Sequence, residues 1–160
     1  MRILMCGTGG AGQKNFEQTV RNLVDLEQYA GTLTFAQRQL LEARHGRFAR
    51  VWGIPAHKHI TDELKPGDHV WFHHSNYVND VAQVVTVFRN VGFDEALWDT
   101  SDFPSSAGFI FTVTEPQAAR ISKASINELL GYSVKNNWVA NRLLSEENSK
   151  RLASAIHLTI

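Results

Sequence analysis

The run VAQVVTVF, Val81 to Phe88, constrains the fold more than any other stretch of the chain. Its apolar residues fall on both alternating sets of a strand, so both faces must be covered, as in a small barrel or a helix-backed sheet. Arg2 to Cys6 reads as a short strand, and three more runs, Phe48–Trp52, His69–His73 and Phe109–Val113, are rich in β-branched and aromatic residues. Lys65-Pro66-Gly67-Asp68 is a turn, because proline fixes φ and glycine accepts a positive φ just before the next strand. Helical signals surround these strands. Phe16, Val20, Leu23 and Val24 share one helix face, and Thr34 caps a second helix with Ala36, Leu40 and Ala43 facing the core and Gly46 past its end. SINELL, from Ser125, is a short helix stopping at Gly131, and FDEALW a short helical piece closed by Trp98. Ser145 caps a last helix with Glu146 and Glu147 in its first turn and Leu152, Ala155 and Ile156 as its buried stripe. No regular helical crossover links the strands. The class that follows is α+β, a strongly bent sheet or small β-barrel flanked by helices.

With 160 residues, no internal repeat and no linker-like tract, the chain reads as one domain, 1–160. Apolar residues at 43% suffice for a core. No run approaches the ~18–20 apolar residues of a membrane span, and the first apolar stretch breaks at the glycines after Cys6, too early for a signal peptide. The single cysteine excludes an internal disulfide and a Cys-rich zinc site, so a cytoplasmic setting is expected. Sixteen basic and sixteen acidic side chains balance. Even so, Arg44 to His59 carries Arg44, Arg47, Arg50 and Lys58 with no acid, a local basic patch suited to limited phosphate contact or to a solvated loop.

GTGGAG, Gly7 to Gly12, has the G-x-G-x-x-G spacing of a pyrophosphate-binding turn. The βαβ unit that gives the motif its meaning needs a second strand ending in an acid, and none precedes Asp25 or Glu27, which leaves a flexible loop as the competing reading. His57 and His59 are two apart and His73 and His74 adjacent; side chains adjacent on a strand point to opposite faces, and no zinc spacing is present, so no metal is expected. Cys6 reads as a buried strand residue, Asp99 and Asp102 as solvated loop acids. No G-x-S-x-G elbow exists, and neither a cofactor nor a catalytic centre is expected. Trp52 and Trp98 stand out: both end an element next to a loop, where an indole can wall a pocket or simply fill a core.

The order VWGIP, KPGDHVWFHHSN, VAQVVTVF, ALW and GFIFTVTE resembles the PUA-like superfamily, and within it the YTH and EVE reader domains of modification-dependent restriction systems (McrB-type and HNH-linked). Trp52-Gly53 and Gly67-Asp68 to Ser75 match the EVE signature, with His73 in place of its usual tyrosine; Gly-Ile-Pro follows Trp52 where YTH domains have small polar residues. NFEQTVRN and NELLGY match segments near the two ends of the restriction-linked readers. The resemblance implies a non-catalytic domain that holds a modified base, swung out of its strand, in an aromatic cage. Trp52 and Trp98 would be two walls and Phe103 the third, with the indoles as parallel jaws. The base edge would be read by Asn15, by the backbone at Gly53 and Ile54, and by Ser75 and Asn76. Arg47, Arg50 and Lys58 would hold phosphates. The implied partners are DNA carrying methylated adenine or methyl- or hydroxymethylcytosine and a nuclease or NTPase effector module, the domain being the N-terminal part of a restriction or antiphage protein. Three other functions remain open: a modified-RNA-binding module, a nucleotide-binding enzyme built on the Gly7–Gly12 loop, and a partner-binding domain with no nucleic-acid function.

Overall fold

One thirteen-residue strand organises the molecule. The computed structural model describes residues 1–55, 57–98 and 108–156, with the side chain of Lys58 excepted. Its eight strands are β1 (Ile3–Gly7), β2 (Val24–Asp25), β3 (Phe48–Ile54), β4 (His69–His74), β5 (Tyr77–Arg89), β6 (Phe109–Val113), β7 (Gln117–Ser122) and β8 (Arg142–Leu143). The helices are α1 (Ala11–Phe16), α2 (Phe35–His45), α3 (Lys58–Thr61), α4 (Val91–Leu97), α5 (Lys123–Leu129) and α6 (Glu146–Ile156). The sheet runs β2-β3-β6-β5-β4-β1-β8, and β7 also pairs with β5. The first half of β5 pairs with β4 and β7, and its second half pairs with β6. β6 and β7 are therefore two lengths of one path along β5, interrupted at residues 114–116. Register shifts within β5 at Val78/Asp80 and Val84/Thr86 accompany the strong bend of the sheet.

The alternation along each strand sorts the core into three clusters. The inner cluster takes Leu4 and Cys6 of β1, Val70 and Phe72 of β4, Ala82 and Val84 of β5, Trp52 and Ile54 of β3, and Phe109 and Phe111 of β6, with Phe16 and Val20. The opposite residues of β1 and β4, Ile3, Met5 and Trp71, pack outward beneath Ile126 of α5 and Leu152 of α6. Outward residues of the other half, Ala49, Val51 and Ile110, meet Leu41 of α2 and Phe93 of α4. Both faces of β5 are thus covered, as its sequence requires.

Several local expectations shift. The first helix widens into a π turn over Glu17–Arg21; Phe16 and Val20 are buried, while Leu23 is exposed and Val24 pairs in β2. Thr34 does cap α2, in a reciprocal capping box with Gln37. That helix, however, buries Leu41 while Ala36, Leu40 and Ala43 face solvent, because it lies on the sheet along a narrow line. In α6 Leu152 is fully buried and Ile156 partly so, whereas Ala155 is exposed. The Lys65–Asp68 turn is present, with Gly67 at φ 93° and the Asp68 carboxylate accepting from the backbone N–H groups of Arg2 and Lys65. No helix is long and apolar enough to cross a membrane among the described residues.

Candidate nucleic-acid interface

Trp52 lies near the end of β3 and points into the inner cluster, where its ring meets Phe16 at 6.0 Å and Phe72 at 5.8 Å between centroids. The next residue, Gly53, faces the other way. Trp98, at the C-cap of α4, is laid on it: a Cβ at Gly53 would stand 2.8 Å from Trp98 Cζ3. A glycine in a strand permits such a close approach. The two indoles so meet across β3, with ring centroids 6.3 Å apart. The fold brings together what the chain separates by 45 residues.

The expectation of parallel jaws is not met. The ring planes stand at 77°, edge to face, and the rings are only 6% and 8% exposed. An edge-to-face pair satisfies the ring quadrupoles and leaves no slot between them. The arrangement retains one unsatisfied donor: Trp98 Nε1 is buried without a hydrogen-bond partner among the described residues. Phe103, the third wall, lies outside the described residues, as do Asp99 and Asp102.

The base-edge candidates divide into two groups. Gly53 and Ile54 stand beside the indoles, and Asn15 is half-buried one residue before Phe16, its backbone oxygen accepting from Thr19 Oγ1. Ser75 and Asn76 form the exposed turn between β4 and β5, beginning roughly 10 Å beyond Phe72 along the strand. Ser75 holds a positive φ of 53°, its hydroxyl is 3.2 Å from His74 Nδ1, and the Asn76 carbonyl accepts from Lys123 N–H.

The phosphate candidates have partners within the chain. Arg47 is clamped by Asp25 through bonds of 2.9 and 2.8 Å, and this pairing holds the Asp25 carboxyl below its ordinary range. It also lies roughly 17 Å along β3 from Trp52. Arg50 donates to the carbonyls of Val20 and Arg21 and pairs with Glu115, tying the π turn to β3. Both guanidinium groups are already engaged within the chain. The side chain of Lys58 lies outside the described residues.

The glycine loop is not a dinucleotide turn. α1 leads to the two-residue β2, which pairs antiparallel with β3, and the parallel neighbour of β1 is β4. No βαβ crossover follows the glycines. Gly7 lies instead against His73, and Gly9 against His74. His73 is buried and His74 half-buried, on opposite faces of β4. The rings of His57 and His59 stack on each other, 6.1 Å apart. Among the described residues no three His, Cys, Asp or Glu side chains form a metal-holding group. Cys6 is fully buried, and burial pushes its thiol far above the ordinary range, where no thiolate nucleophile exists. A surface hollow of about 320 Å³ between α2 and Leu26–Ala30 includes Arg47 and neither tryptophan.

Sequence reasoning missed Lys123 and Trp138. Lys123 begins α5 and is 9% exposed, and its ammonium lies 5.6 Å over the ring of Trp138, which packs on His73. Only the tryptophan was detectable in advance, as an isolated indole in a polar stretch.

No protein-family model matches the chain, and no curated protein matches it. Among solved structures it is similar to the N-terminal domain of Thermococcus gammatolerans McrB bound to m5C DNA. That likeness covers 98% of both chains with a TM-score of 0.71 at 18% sequence identity. The eight-stranded bent sheet flanked by helices is therefore the PUA-like fold of the McrB N-terminal domain.

Proposed function

We propose that this domain recognises DNA carrying a modified base, taken out of its strand and held between Trp52 and Trp98, with Phe103 closing the third side. The observation that carries the reading is the meeting of two tryptophans on Gly53, with the Trp98 indole N–H buried and unpartnered, in the fold of a domain solved with m5C DNA. The rings stand edge to face, so admission of a base requires Trp98 to turn away from Trp52. Extruding a base costs a few kcal/mol, and stacking on an aromatic wall returns ~1–3 kcal/mol per base. Two walls offset extrusion where one is marginal. A methyl group adds on the order of 0.8 kcal/mol by burial, so discrimination rests on cage shape and on hydrogen bonds such as the one offered by Trp98 Nε1. The domain itself does no chemistry in this reading. A nuclease or NTPase module of a restriction or antiphage protein acts on the recognised DNA.

The test is a binding comparison of matched m5C, N6-methyladenine and unmodified duplexes, with RNA of the same sequence as competitor. Trp52→Leu and Trp98→Leu keep apolar filling while removing the ring. Each is expected to retain a folded circular-dichroism spectrum and to lose the preference for modified over plain DNA, about tenfold or more. Folded variants that still discriminate would exclude the cage, and tighter binding of RNA would transfer the reading to modified RNA.

A further inference from the structure

β1 and β4 are parallel and end side by side, Gly7 beside His73. Beyond them, the turn at Asn76 accepts the backbone N–H of Lys123. His73 and Lys123 are 4% and 9% exposed, and both face Trp138, at 5.3 Å between ring centroids and 5.6 Å from ammonium to ring. Trp138 is fixed in turn, since its Nε1 donates to Asn127 Oδ1 at 2.9 Å and Asn127 is itself fully buried. No carboxylate among the described residues forms an ion pair with this group. Among the described residues Lys123 forms no ion pair, and Nε2 of His73 is buried without a hydrogen-bond partner. A buried ammonium without a counter-charge and a buried ring nitrogen without a hydrogen-bond partner are each costly. Burial holds the Lys123 ammonium below its ordinary range, and His73 falls to about 4 through burial first, then the charges of Lys123 and His74.

The glycine loop packs against the histidine side of this group. A Cβ at Gly7 would lie 3.4 Å from His73 Cε1 and 3.8 Å from Nε2, and one at Gly9 would lie 3.6 Å from His74. We propose that Lys123, His73 and the backbone of Gly7–Gly10 form an oxyanion site that takes a backbone phosphate of the bound nucleic acid. The ammonium and the imidazole N–H approach a tetrahedral oxyanion from two directions, and the exposed backbone of the loop from a third. The site would supply an anchor in addition to Arg47 and Arg50, whose guanidinium groups have partners within the chain. The identification of the phosphate as nucleic acid rests on the function proposed above; the oxyanion chemistry does not.

Two measurements separate these parts. In the first, inorganic phosphate is titrated against the whole domain while the Trp138 indole N–H and His73 ring signals are followed by NMR, with sodium chloride at equal ionic strength as control. Phosphate is expected to move both signals, chloride neither, and Lys123→Met to abolish the response. In the second, m5C and plain duplexes are bound over a range of salt. Lys123→Met is expected to weaken both alike and to lower the slope of log K against log salt by about 1. Its melting temperature should not fall, because methionine fills the same space without a buried charge. Signals indifferent to phosphate, or a wild-type salt slope in Lys123→Met, would overturn the proposal. A phosphate response with no duplex binding would support the anion site and remove the nucleic-acid reading.

Discussion

Gly53 is where one hydrogen atom decides the geometry of the tryptophan pair. A methyl group there meets Trp98 Cζ3 at 2.8 Å, Cη2 at 3.1 Å and Ile110 Cδ1 at 3.3 Å, so the indole must leave its position. Gly53→Ala is therefore expected to cost about 1–3 kcal/mol in a urea titration and to shift tryptophan fluorescence, overpacking being as harmful as a void. Unchanged stability and emission would show that the contact is loose. The Trp52-Gly53 pair was legible because an indole at a strand end followed by glycine marks a close approach. The 77° between the rings was not, since it depends on Trp52 and Trp98 reaching the meeting point from opposite faces of β3. Nor were the partners of Arg47 and Arg50, because Asp25 and Glu115 lie 22 and 65 positions away. Lys123 carried no signal at all: a lysine at a helix start reads as solvated.

At the scale of elements, Gln37 joins two helices. Its Oε1 accepts from Thr34 N–H in the capping box and from Asn90 Nδ2 at 2.8 Å, while its amide donates to the Arg89 carbonyl. Asn90 in turn caps α4 by accepting from Phe93 N–H. Loss of the Gln37 side chain removes a cap and an anchor of the helix that ends at Trp98. Gln37→Ala should cost about 1–2 kcal/mol, read as a lower melting temperature, and should weaken modified-base preference in a folded protein. A melt unchanged by the substitution would show that α4 is held by packing alone. Long apolar strands were the readable elements, because covering both faces leaves an unmistakable run. β2 and β8, two residues each, and the half-exposed β7 were not, since short or one-sided pairing leaves too few apolar positions to form a pattern. Leu23 was misassigned for another reason: the π turn at Glu17–Arg21 rotates the helix face before it arrives there.

For the molecule as a whole, acid is the predicted weakness. His45, His69 and His73 all lie below the ordinary imidazole range, burial being the first cause in each. Between pH 6.5 and about 4 the unfolded chain then binds protons that folded His73 does not, so stability falls as pH drops through that window. His73 alone accounts for about 3 kcal/mol. Asp80, whose carboxyl burial pushes upward, works in the opposite sense, so the histidine effect is isolated by substitution. Thermal melts at pH 7.5 and 4.5 should differ, and His73→Gln should narrow the difference; an equal difference in the variant would assign the acid sensitivity elsewhere. The bent α+β architecture was readable at this scale because a strand apolar on both sides admits few surroundings.

That strand has a last consequence. β5 lends its first residues to one half of the sheet and its last residues to the other. Neither half owns a complete set of hydrogen bonds without it. A break in that one strand is felt on both sides of the bend.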